Sequence, residues 1–161
     1  MSLLKKIFTR DDGIRVGAPV SGKLVSIREV GDPAFREEIL GNGVAIIPSG
    51  NRIVAPLDGT IGTVFPTGHA VAVSGEGVDI LIHVGLDTVR LKGKHFTIHV
   101  REGQKVKKGE LLLEADVGQI KAEGYDIVTP IVICNSDDFA EIRKMEPGEV
   151  VQGETILQLR R

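Results

Sequence analysis

The sequence predicts an all-β protein: a duplicated antiparallel β-sandwich, or compressed barrel, with short helical turns. Three observations carry that reading. Glycine occurs 20 times and proline 7 times in 161 residues, and the short segments between them are rich in β-branched residues, which suit a pleated surface. The apolar spacing of a long amphipathic helix is largely absent. The chain also repeats itself. Ala18-Pro19-Val20-Ser21-Gly22-Lys23-Leu24-Val25 returns as Ala55-Pro56-Leu57-Asp58-Gly59-Thr60-Ile61-Gly62, and the run from Glu102 to Leu113 is echoed from Glu146 to Leu157. Each unit is a turn followed by an apolar strand, too small to bury its own face, so the copies are expected to pack on one another.

Taken in order, residues 1–13 read as a flexible tail. Leu3, Leu4, Ile7 and Phe8 share one helical side, with Lys5, Lys6 and Arg10 adding positive charge. A segment of about two turns is marginal as an isolated helix, so weak contact of residues 1–10 with an anionic membrane surface is the most it offers. Asp11-Asp12-Gly13 is the expected hinge, and 14–161 the single folded domain. Asp32-Pro33 opens one helical turn over 32–40 and Ser136-Asp137 another over 136–142. In between, Phe65, Thr67, His69 and Val71 alternate as one face of a strand, and Leu81 and His83 as one face of the next. Ile131-Val132-Ile133-Cys134 reads as a further strand, with Cys134 expected inside it as a small hydrophobe.

Composition narrows the function. Hydrophobic residues make up 42% and charged residues 26% of the chain, an ordinary globular balance. A net charge of -2 argues against nucleic acid as a partner. No apolar run matches a membrane span, the start lacks a secretory h-region, and one cysteine cannot form an internal disulfide. A cytoplasmic protein is expected.

The chemistry converges on Ile80-Leu81-Ile82-His83-Val84-Gly85-Leu86-Asp87-Thr88-Val89, read with Thr67-Gly68-His69. Imidazole is nucleophilic near neutral pH without a metal or a base to activate it. Thr67 is suited to hydrogen-bond His69 and fix its tautomer. Asp87 stands on the turn after His83. His95 and His99 lack such company and read as peripheral. Residue chemistry alone leaves three readings of the His69–His83 pair open: phosphoryl transfer through a phosphohistidine, zinc ligation, or a structural polar pair.

A family resemblance separates them. Ala18-Pro19-Val20-Ser21-Gly22, Asp32-Pro33-Ala34-Phe35, Gly41-Asn42-Gly43-Val44-Ala45-Ile46, Val54 to Gly62 and, above all, His83 to Gly93 with His69 upstream resemble the glucose-family enzyme IIA of the bacterial sugar phosphotransferase system over nearly the whole chain. The resemblance implies a phosphotransferase component working through a phosphohistidine: His83 accepts the phosphoryl group, His69 contacts it, and Thr67 bonds His69. It implies a histidine-containing phosphocarrier protein as donor, the IIB domain of a sugar permease as acceptor, and regulatory protein targets for some relatives. Phe35, Ile39, Phe65, Val71, Leu81 and Val89 would form the apolar partner-binding rim, with Asp32 and Asp87 as its acids. No cofactor is implied as a requirement, and zinc between His69 and His83 is known of some relatives when a partner adds a ligand. The alternatives are a biotin- or lipoyl-like carrier module and a zinc endopeptidase built on a related β motif.

Overall fold

The computed structural model describes residues 13–161. Residues 1–12 of the tail expected over 1–13, and with them the membrane contact expected of residues 1–10, lie outside the described residues.

Fourteen strands among the described residues form three antiparallel sheets. In chain order they are β1 (Ile14–Gly17), β2 (Gly22–Ser26), β3 (Asn42–Pro48), β4 (Arg52–Val54), β5 (Gly59–Val64), β6 (Ala70–Gly75), β7 (Val78–His83), β8 (Phe96–Ile98), β9 (Lys105–Val106), β10 (Leu111–Ala115), β11 (Thr129–Ile133), β12 (Glu141–Lys144), β13 (Gly148–Val150) and β14 (Thr155–Arg160). The large sheet runs β13-β2-β3-β11-β7-β6-β5-β9, and two three-stranded sheets run β1-β14-β12 and β4-β10-β8. The large sheet is open, with β13 and β9 at its edges, so the expected sandwich forms without closing into a barrel.

The duplication is visible in the pairing. Gly22 of the first repeat lies opposite Val150 in one edge ladder, and Gly59 of the second lies opposite Val106 in the other. The Ala-Pro turns interlock: Gly17 N–H donates to Pro56 O and Val54 N–H to Pro19 O, each at 2.8 Å. Ala18 exchanges backbone bonds with Glu154 and Gly153, and Ala55 makes the matching pair with Glu110 and Gly109. Buried turns must satisfy their own peptide groups, and here each repeat satisfies the other's.

Alternation along the strands divides the apolar residues between two layers. Val44, Ile46, Val71, Val73, Ile80, Ile82, Ile131 and Ile133 face the main core, shared with the small sheets. The opposite face of the large sheet carries a second cluster of Val25, Ile27, Val30, Phe35, Ala45, Val128 and Val132, with Leu81 and Leu86 against it. Helix α1 (Pro33–Arg36) covers this face; Asp32 caps it by accepting from Ala34 N–H at 2.9 Å, as the Asp-Pro signal predicts. The second expected turn is a single 3₁₀ turn at Ser136–Asp138. Helix α2 (Val117–Ala122), capped by Asp116, has no counterpart in the sequence reading, because Gly118 interrupts its helical signal. Cys134 is a correction: β11 ends at Ile133, and the thiol is exposed rather than buried. Among the described residues, no helix is long and apolar enough to cross a membrane.

Candidate functional site

The site lies on the outer face of the large sheet, where β7 ends at His83. Strand alternation puts His83 and Leu81 on this face, opposite Ala70 and Ala72 of β6. His69 reaches the same place by a different route from the one spacing suggests. Residues 65–69 are a turn joining β5 to β6, not a strand. Pro66 has no N–H to give a ladder, and Gly68 takes φ +75°, where its lack of a Cβ also lets Phe96 and Ile98 pack against it. Gly68 N–H donates to Phe65 O at 2.7 Å and closes the turn.

The two rings stand edge to face, centroids 5.0 Å apart at 78°. Each is backed by a phenyl ring, Phe35 at 5.1 Å from His83 and Phe65 at 5.2 Å from His69. His69 O accepts from Val84 N–H at 2.7 Å, so the main chain of one histidine is tied to the residue after the other.

Hydrogen bonds orient both imidazoles. His83 Nδ1 lies 2.7 Å from Gly85 O. A carbonyl only accepts, so Nδ1 carries the proton and Nε2 keeps its lone pair. Gly85 turns its carbonyl back by adopting φ +77°, a conformation costly for other residues. Thr67 Oγ1 lies 2.6 Å from His69 Nδ1, leaving His69 Nε2 as its second polar atom.

Burial governs the charge state. His69 is 3% exposed. Desolvation, then the neighbouring His83, lower its pKa from 6.5 to about 4. His83 is half-buried and also lowered, chiefly by desolvation, against the Gly85 hydrogen bond and the charges of Asp32 and Asp87, which favour its cation. Both rings are therefore neutral at pH 7, the form in which imidazole is a nucleophile.

The expected rim is partly assembled. Ile39, Phe65 and Val89 are exposed, Leu81 is half-buried, and Asp32 and Asp87 border a cleft with Arg90, Tyr125 and Asp126. Val71 is a correction: it is fully buried in the main core opposite Ile82, because β6 starts at Ala70 and alternation sends Val71 to the inner face. Phe35 is also buried, as a wall against His83 rather than an open rim. His95 and His99 lie outside the pair: His95 Nε2 bonds Glu123, and His99 is 3.5 Å from Glu114. Sequence reasoning missed Gly85 O as the partner of His83; a glycine two residues past the histidine was the available signal. It also missed Ile98, an exposed apolar residue against the Gly68 turn.

A resident metal fits poorly. Zinc takes three or four protein ligands, and among the described residues no group of three His, Cys, Asp or Glu side chains converges. The His69–His83 pair supplies two.

Fold and site together define a class, β-sandwich proteins with a paired-imidazole site on an apolar sheet face. The sequence family described as the phosphoenolpyruvate-dependent sugar phosphotransferase system, EIIA 1, matches residues 14–139, and the chain belongs to it. It is similar to the PTS system glucose-specific EIIA component of Haemophilus influenzae, 43% identical over 98% of this chain and 97% of that one. It is also similar to the PTS system beta-glucoside-specific EIIBCA component of Dickeya chrysanthemi, 43% identical over 88% of this chain, which spans only 23% of that longer protein. The glucose permease IIA of Mycoplasma capricolum superposes with a TM-score of 0.85 at 36% identity, covering 91% of this chain and 95% of its own.

Proposed function

We propose that this chain is a cytoplasmic phosphoryl relay of sugar uptake, carrying phosphate on His83 from a histidine-containing phosphocarrier protein to a cysteine of a permease IIB domain. The observation that carries the reading is the bond from His83 Nδ1 to Gly85 O, which leaves a lone pair on Nε2 beside a second imidazole. The longer EIIBCA relatives, which hold an EIIA-like segment within one chain, support the IIB partner.

The chemistry balances without a cofactor. The donor's N–P bond breaks as the Nε2–P bond forms, and the donor imidazole leaves with the electron pair. His83 then holds a proton on Nδ1 and phosphate on Nε2, so its ring is cationic, and Gly85 O accepts from the charged ring. Thr67, donating to His69 Nδ1, puts the His69 proton on Nε2, aimed to bond a phosphoryl oxygen as charge develops. In the second half, a cysteine thiolate forms S–P as N–P breaks, and His83 returns neutral. Asp32 and Asp87 favour basic partner surfaces and speed encounter without tight binding. Zinc would join the pair only with a ligand supplied by a partner.

Incubation with phosphoenolpyruvate, enzyme I and the phosphocarrier protein should label His83, and His83→Gln should abolish acid-labile labelling. Label retained on that variant would refute the assignment.

A further inference from the structure

We propose that Thr88 is a positioning residue that fixes the tautomer of His83 through the Val84–Gly85 turn. Thr88 is fully buried, and its Oγ1 donates to Val84 O at 2.6 Å. Val84 N–H donates to His69 O at 2.7 Å, so both backbone groups of the residue after His83 are held, one by the first histidine and one by Thr88. The next carbonyl along the chain is Gly85 O, the acceptor for His83 Nδ1. Thr88 Cγ2 also fills the space beside Gly85, 2.6 Å from where a Cβ would sit there. Leu86 N–H, bonded to Asp126 O at 2.9 Å, closes the far side of the turn.

Gly85 has no side chain to resist rotation of its peptide groups. What keeps its carbonyl aimed at His83 is the fixing of the turn on either side. Without the Thr88 hydroxyl, Val84 O is a buried acceptor with no partner, and the turn relaxes to satisfy it. As Gly85 O leaves Nδ1, the ring populates the tautomer with its proton on Nε2, which has no lone pair for phosphorus. Thr88 touches no reacting atom and acts through Gly85. The consequence for phosphoryl transfer rests on the relay reading above, whereas the consequence for the tautomer does not.

The test measures ring nitrogen-15 shifts of His83 at pH 7 in the wild type, Thr88→Val and Thr88→Ser, together with the rate of phosphoryl acceptance. Wild type should show a protonated Nδ1 and a bare Nε2. Thr88→Val, nearly isosteric, should gain the Nε2–H tautomer and accept phosphate about tenfold more slowly, and Thr88→Ser should restore both. An unchanged tautomer in folded Thr88→Val, or a serine variant as impaired as the valine one, overturns the proposal. If Thr88→Val does not fold, the wild type still decides: the Thr88 hydroxyl proton should exchange slowly with water, and rapid exchange overturns the proposal. A wild type that takes no phosphate, while Thr88→Val still shifts the tautomer, refutes the relay reading and leaves Thr88 in its role.

Discussion

Acidification should destabilise this protein through His69, and His69→Gln should remove that part of the loss. Burial and His83 lower the His69 pKa in the folded chain to about 4, against 6.5 for an ordinary histidine. Above pH 6.5 the ring is neutral folded or unfolded, and its titration does not affect stability. Between the two values the unfolded chain binds a proton that the folded chain refuses, so stability falls with pH and levels off below pH 4. The gap caps the loss at roughly 3 kcal/mol, and about 2 kcal/mol of it is already lost at pH 5. Discounted for solvent screening at the mouth of the site, ~1–2 kcal/mol remains at pH 5. Urea unfolding at pH 7.5 and pH 5 measures it. The drop between the two should be smaller in His69→Gln than in the wild type by that amount, since the substitution removes the ring that the fold keeps neutral. Equal drops would show that His69 is not held neutral by the fold, and the neutral-donor role would fall with it.

Two further outcomes follow from the same geometry. His69→Gln should still take label from the phosphocarrier but pass it poorly to a IIB domain, read by single-turnover transfer; normal donation would remove His69 from the mechanism. Gly85→Ala should lose about 2–4 kcal/mol in urea unfolding, from a left-handed alanine and an overpacked turn, because its Cβ would sit 2.6 Å from Thr88 Cγ2 and 2.9 Å from Asp126 O; wild-type stability would mean that the turn is looser than drawn.

The parts of the site legible in the sequence are those set by local chemistry. Asp32-Pro33 gives a helix cap, the paired Ala-Pro turns give the duplication, and Thr67 two residues before His69 gives the hydroxyl–imidazole bond. The errors share one cause. Alternation along 65–71 suggests a strand, but whether a two-residue spacing is a strand or a turn depends on peptide groups elsewhere, here Phe65 N–H bonded to Ala70 O. That single choice shifts the start of β6 to Ala70 and sends Val71 inward. Cys134 fails for the same reason, since it lies one residue past the end of β11. The tautomer of His83 was out of reach, because it depends on the direction of a glycine carbonyl.

The duplication also accounts for where the site lies. Read from either end, the large sheet gives corresponding strands, β13 with β9 and β2 with β5, and the order places β11 and β7 at the centre. The connection from β2 to β3 and the connection from β5 to β6 are therefore counterparts, and both arrive at the end of β7. One spans residues 27–41 and delivers Asp32 and the Phe35 ring to His83; the other spans only 65–69 and delivers Thr67, His69 and Phe65. Unequal length is what lets two equivalent connections do different work. The long one, with a helical turn, covers the outer face and supplies a buried wall, whereas the short one is stiff enough to hold an imidazole edge-on to its neighbour. A group that must be reached by one protein and then by another needs a fixed inner ring and an open outer one, and His69 is buried while His83 is half-open. Thr67→Val removes the hydroxyl that orients the His69 ring but keeps the His69 O to Val84 N–H bond that steadies the His83 turn, so it should impair donation to a IIB domain far more than acceptance from the phosphocarrier. Equal losses in the two half-reactions would mean that the His69 ring serves both steps alike.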